Sequence, residues 1–265
     1  MVPFAETVAR LNTLGPAFCS VTYGAGGTTR AGTEAALGKL FDLGVTAPAG
    51  HLTCAGQGRT GVLDTARRWQ ESGIRHIVAL RGDAADKPCG EPTFGGAAEL
   101  VSALRQIGVP EISVACYPEV HPRSAGRDAD LAYLKQKCDA GATRALSQFF
   151  FDPEVFLRFR DDACRAGIEA PLVPGILPIH DLNRVSILAA KCGSEIPSRV
   201  HERLSRLEND PEARGQVAVS LAVGLCERLI QEGVRSFHFY TLNRSTMTPA
   251  ICRAIGIQPE VELAA

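Results

Sequence analysis

The chain has 265 residues, 45% of them hydrophobic and 22% charged, with a formal net charge of −1. That balance sustains a full-sized core and suits one large domain over residues 1–265, a size at which single α/β barrels are common. No block of Lys and Arg stands out, which argues against nucleic-acid or membrane-surface binding and makes a small-molecule ligand the default partner.

The first element predicted is a helix, because Phe4, Val8, Leu11 and Leu14 fall at helical spacing before Gly15-Pro16 stops it. A short run rich in β-formers follows at 17–23. The pattern then repeats, with apolar runs at 47–53, 76–80, 112–117, 144–149, 172–176 and 236–240 separated by helical stretches. Several of these helices end at a glycine, at Gly44, Gly73, Gly108, Gly141, Gly167 and Gly233, where a left-handed residue caps a helix. The long interval from about 179 to 232 reads as two or three helices elaborating one βα unit. Asp210-Pro211 is a helix start inside it.

Strand–helix alternation of this kind predicts a parallel sheet covered by helices, either open or closed into a barrel. Seven strands are visible and the chain begins in a helix. One further strand ahead of Phe4 would complete eight βα units. The expected fold is therefore a TIM-type (β/α)8 barrel with seven strands visible and the first one missing.

The nine cysteines are scattered, odd in number and never spaced C-x-x-C, which predicts neither a disulfide framework nor a zinc ribbon. They suit a reducing, cytoplasmic setting. The N-terminal residues carry acid and polar groups in place of an apolar signal core, and no apolar run approaches the ~20 residues of a membrane helix. His51 and His121 have no partner at metal-ligand spacing, so no metal site is expected, and His76 and His238 read as packed or edge residues.

Polar residues gather where the strands end. Thr22-Tyr23, His51 and Thr53, Arg81-Gly82-Asp83, Tyr117 through His121, Gln148 and Asp152, and Tyr240 through Arg244 all fall at or just inside carboxyl ends. That is the face on which α/β proteins build their sites. Polar loops alone would account for one or two such clusters, not for six. Gly24-Ala25-Gly26-Gly27-Thr28-Thr29 could cradle a phosphate but matches neither the dinucleotide nor the P-loop pattern, and by itself reads as a turn.

The strings SVTYGAGGTTR, HLTC, GIRHIVALRGD, YPEVHP, KCDAGA with SQFFFD, PGILPI and FHFYTLNR, taken in order, resemble methylenetetrahydrofolate reductases of the bacterial, barrel-only type. The resemblance runs from about residue 4 to 256. It implies an FAD enzyme that passes hydride from NAD(P)H through the flavin to methylenetetrahydrofolate, giving methyltetrahydrofolate for one-carbon metabolism and methionine supply. By motif, Thr22, Tyr23, Ala25, His51, Arg81, Gly82 and Asp83 fall on flavin contacts. Tyr117, His121, Asp130 and Lys137 fall on the group that holds the ribityl, pyrophosphate and adenosine parts. Gln148 matches a glutamine that meets both substrates, and Arg244 an arginine on the folate side. Thr22 also lies near the nicotinamide, and Asp83 would stabilise a cationic folate iminium as well as tune the flavin. The resemblance sets Leu188 where an aromatic of the family covers the nicotinamide.

The family's opening strand, of the form F-E-F-F-P-P with a glutamate as catalytic acid, has no matching string here. Glu6 lies on the following helix and Glu119 belongs to another motif, so neither inherits the role. That departure keeps a second reading open, a flavin- or folate-binding protein with little folate turnover. A Schiff-base aldolase is disfavoured because no lysine falls in the apolar strand runs. Small members of such families commonly assemble, so a homo-oligomer is expected.

Overall fold

The computed structural model describes residues 3–22, 30–82 and 92–257. Seven parallel strands follow one another in sequence order: β1 (Cys19–Val21), β2 (Pro48–Thr53), β3 (His76–Leu80), β4 (Glu111–Cys116), β5 (Arg144–Phe149), β6 (Leu172–Ile176) and β7 (His238–Phe239). Each is parallel to the next, β1 on β2 through β6 on β7. Helices fill the crossovers: α1 (Phe4–Asn12) precedes β1, then come α2 (Arg30–Asp42), α3 (Arg59–Glu71), α4 (Ala97–Gln106), α5 (Arg127–Asp139) and α6 (Pro153–Arg165). Three helices, α7 (Leu182–Cys192), α8 (Ser198–Ser205) and α9 (Pro211–Gln231), occupy the interval before β7, and α10 (Met247–Ala254) follows it.

The sheet curls until its two ends face each other. Phe18, leading into β1, packs edge-on against His76 of β3 at 4.4 Å and stacks on His238 of β7 at 5.6 Å between ring centroids. Among the described residues β1 pairs only with β2 and β7 only with β6. Between them a cleft of about 420 Å³ opens, lined by Ser20, Val21, His238 and Phe239 and backed by α1 and α10. This is the predicted barrel with seven strands. The end strands are shorter than the runs 17–23 and 236–240 suggest, because an edge strand has one neighbour to hold its ladder. They are also only partly buried, whereas β2 to β5 are mostly shielded.

The periodicity of the strands sends alternate side chains outward to the helices and inward to the barrel. Outward, Leu52, Ile77, Ile112 and Val114 meet Leu100, Leu104, Phe156 and Leu229 in the main core. Trp69 of α3 lies against Gly50 of β2, whose missing side chain leaves room for the indole. Inward, polar side chains stand among the apolar ones: His51 Nε2 lies 3.2 Å from Ser20 Oγ, and His76 Nε2 lies 2.7 Å from Ser113 Oγ. The glycines expected to cap helices at 44, 73, 108, 141, 167 and 233 all have positive φ. Asp152, Asp181 and Asp210 cap α6, α7 and α9 through their side chains.

Cys54, Cys116, Cys226 and Cys252 are buried free thiols, as the scattered spacing implied. Among the described residues no cluster of His, Cys, Asp or Glu could hold a metal, and no helix is long and apolar enough to cross a membrane.

Candidate functional site

A cavity of about 570 Å³ opens over the carboxyl ends of β3, β4 and β5. Arg81 and Gly82 enter it from the end of β3, Tyr117 and His121 from the loop after β4, Asp130 and Lys137 from α5, and Gln148 from β5. These residues span 68 positions of sequence, and all seven are ones that the strand-end pattern or the motif match had picked out.

Three local devices set this geometry. The first is the β4–α5 loop, where Val120 takes a left-handed φ of 73°. The turn lets the His121 N–H donate to Asp130 Oδ2 at 3.1 Å and the Arg123 N–H donate to His121 Nδ1 at 3.0 Å. The imidazole then packs edge-on against Tyr117, 4.5 Å between centroids. The second is the face of α5, on which Asp130, Tyr133 and Lys137 recur at helical spacing. The third is an irregularity in β5 between Leu146 and Phe149. There the Gly175 N–H donates to Ser147 Oγ (2.8 Å) and the Tyr240 hydroxyl donates to the Ser147 carbonyl (2.9 Å). A bulge of this kind re-aims a side chain, here Gln148 at the rim. The Phe149 N–H donates to Gln148 Oε1 at 3.0 Å, which orients the amide.

Lys137 is the electrostatic centre of the cavity. It is 6% exposed, and its Nζ donates to the Ala115 carbonyl at 2.5 Å and sits 5.1 Å from the centre of the Tyr133 ring. No carboxylate forms an ion pair with it among the described residues. Burial lowers its pKa, against the pull of Cys116 and Asp130. His121 is also held below its usual pKa, first by burial and then by Lys137 and Arg81, with Asp130 opposing. A buried ammonium and an imidazole that disfavour charge mark a place where an anion is wanted.

Other singled-out residues lie elsewhere. Thr22 is exposed at the end of β1, its carbonyl accepting from Thr33 Oγ1 at 2.9 Å. His51 points into the barrel toward Ser20, and burial with the nearby His238 and His76 holds its pKa down at about 3. Arg244 is exposed beyond β7, near His180 and Tyr240, after two successive left-handed residues, Leu242 and Asn243. Such backbone strain in non-glycine residues is concentrated at functional loops. Leu188 lies half-buried at the margin of the cluster of Phe149, Phe151, Leu177 and Ile179. Tyr23, Ala25 and Asp83 lie outside the described residues. Glu119 does not line the cavity; its Oε1 accepts from the Glu195 N–H at 2.9 Å, and burial raises its pKa.

The cavity also includes Tyr133, Ser124 and Lys191, which the sequence reading passed over. Tyr133 was within reach, standing three residues after Asp130 and four before Lys137 on one helical face. Ser124 and Lys191 carry no sequence signal, since loop closure and the return of α7 bring them in.

Comparison with known proteins gives the same family from several directions. The family model described as methylenetetrahydrofolate reductase matches residues 2–256. A 5,10-methylenetetrahydrofolate reductase of Pectobacterium carotovorum subsp. carotovorum is 44% identical over 97% of this chain and 85% of its own length. That of Escherichia coli K12 is 42% identical over 96% and 85%. The maize methylenetetrahydrofolate reductase (NADH) 1 is 31% identical over 96% of this chain and 46% of its own. Among solved structures, a Clostridium thermocellum protein described as binding two copies of 5-methyl-5,6,7,8-tetrahydrofolic acid superposes with a TM-score of 0.60. It covers 89% of this chain and 80% of its own at 14% identity, a likeness of fold. With the family model spanning nearly all of its length and relatives above 40% identity, the chain belongs to the methylenetetrahydrofolate reductase family.

Proposed function

We propose that this chain reduces methylenetetrahydrofolate to methyltetrahydrofolate with an FAD seated on the rim of the barrel and NAD(P)H as the source of hydride. The observation that carries the reading is the cavity over β3 to β5, with the buried Lys137, which forms no ion pair among the described residues, at its centre. Its chemistry fits a dinucleotide: a buried ammonium flanked by His121 and Arg81 answers a pyrophosphate, and Asp130 accepts from a hydroxyl once its own backbone contact is counted. Tyr117 and Tyr133 supply flat apolar surface beside those polar groups. Bound there, the flavin would supply a two-electron relay between nicotinamide and folate.

The protein's part is to bind, orient and exclude water. Gln148 lines the cavity, with its amide held by the Phe149 N–H, so a substrate meeting the rim encounters a fixed hydrogen-bonding group. Arg244, on the opposite side of the rim beyond β7, offers a guanidinium for the carboxylates of a folate tail. Burial disfavours the charged forms of Lys137 and His121, and an anion bound beside them would offset that cost and raise both pKa values.

The test is spectroscopic. The purified protein, incubated with FAD, should turn yellow and retain the flavin through gel filtration. NADH or NADPH should then bleach the colour anaerobically, and methylenetetrahydrofolate should restore it. A protein that stays colourless with FAD would overturn the reading. One that is bleached but not reoxidised by the folate would be a flavoprotein of the family without folate turnover.

A further inference from the structure

A second cleft lies outside the barrel, in the helical layer between β6, the start of α6, α8 and α9, with a volume of about 250 Å³. It shares no lining residue with the rim cavity. Its floor is aliphatic and aromatic, with Phe151, Ile176, Leu177 and Leu225 facing the space. Arg199 and Arg203 stand at its border one helical turn apart on α8, the helix whose Val200 and Leu204 are buried beneath. Arg199 is already paired with Asp152 Oδ2 at 3.1 Å. Arg203 has no carboxylate within ion-pair distance among the described residues.

Gly224 is one of the residues that line the cleft from α9. It lies inside α9, where glycine is a poor helix residue, and a Cβ built on it would meet nothing within 4 Å. A cleft of this volume leaves its lining atoms without van der Waals partners on one side. An engineered cavity of about 150 Å³ accepts the six carbons of benzene, so this one accommodates about ten non-hydrogen atoms.

From this pairing of an apolar floor with a guanidinium that lacks an anionic partner, we infer that the cleft is a binding site for a medium-chain carboxylate. The hydrocarbon body lies on Ile176, Leu177 and Leu225, and the carboxylate is held by Arg203. The site is separate from the proposed reductase chemistry, and its test uses neither flavin nor folate.

The probe is octanoate, which has ten non-hydrogen atoms, titrated calorimetrically into the full chain beside octanol and methyl octanoate. Octanoate should bind at a single site at least about tenfold more tightly than either neutral analogue. Arg203→Gln, at an exposed position, should bring octanoate down to the affinity of octanol. Gly224→Leu, which fills the cleft from α9, should abolish binding of all three while leaving the melting temperature at or above that of the parent. Equal affinity for octanoate and octanol, or unchanged octanoate binding in Gly224→Leu, would overturn the assignment, as would no binding below the micellar range. If Gly224→Leu does not fold, Arg203→Gln decides: undiminished octanoate affinity in that variant refutes the site.

Discussion

Acid should unfold this barrel through its interior, and His76 makes the effect measurable. The imidazole is 5% exposed within the curled sheet, with Nε2 2.7 Å from Ser113 Oγ and the Phe18 ring against its edge. Burial, then Arg144, lowers its pKa from 6.5 to about 4, with Glu111 opposing and His238 adding to the effect. The folded-state pKa lies below the unfolded one. The neutral histidine's contribution is therefore complete above pH ~6.5 and is lost as pH falls toward 4. The whole gap corresponds to about 3 kcal/mol, and linkage puts the loss by pH 5 at about 2 kcal/mol. Against a typical total of 5–15 kcal/mol that is a large share. The assay is urea unfolding at pH 7.5 and pH 5, followed by fluorescence of Trp69, the sole tryptophan and 2% exposed. His76→Gln keeps a hydrogen-bonding group toward Ser113 but cannot titrate. Its stability difference between the two pH values should be smaller than the parent's by about 2 kcal/mol. Carboxylates elsewhere cancel in that comparison. An equal pH-dependence in the two proteins would refute the reasoning.

Three other perturbations probe the site and its support. Lys137→Met should weaken FAD by roughly 10- to 100-fold, the scale of a charge-assisted bond, while leaving riboflavin affinity and stability little changed; an equal loss for riboflavin in fluorescence titrations would remove the phosphate role of Lys137. Gln148→Ala should slow both flavin reduction by nicotinamide and flavin oxidation by folate in stopped-flow absorbance. A defect confined to one half-reaction would break the idea of a shared contact. Gly175→Ala should destabilise the fold by about 3 kcal/mol or more, because its Cβ would collide with the Ser147 carbonyl oxygen and crowd the Tyr240 ring. A melting temperature within a degree or so of the parent's would show that β5 and β6 yield there.

The order of elements was legible in the sequence because strand and helix periods are local properties. The β3, β5 and β6 runs match the apolar stretches at 76–80, 144–149 and 172–176 to the residue. The helix-ending glycines take the predicted left-handed conformation, and Asp210 caps α9 as its place before Pro211 implied. The rim location of the polar residues also followed, since alternation of strand and helix sends all the carboxyl ends to one side. The motif strings carried the family.

Tertiary structure alone decided which rim residues meet. Arg81, His121, Lys137 and Gln148 converge because β3, β4 and β5 are neighbours in the sheet, while His51, with equal sequence standing, turns into the barrel toward Ser20. The length of β1 and β7 was likewise not a matter of composition. Their runs are as β-rich as the others, but a strand paired on one side holds less of its ladder. Nor could periodicity show that Lys137, which shares a face of α5 with the partly buried Tyr133, is itself buried with no ion pair among the described residues. A charge acquires that character only when burial removes its water and the fold withholds a counter-ion, and both depend on side chains distant in sequence.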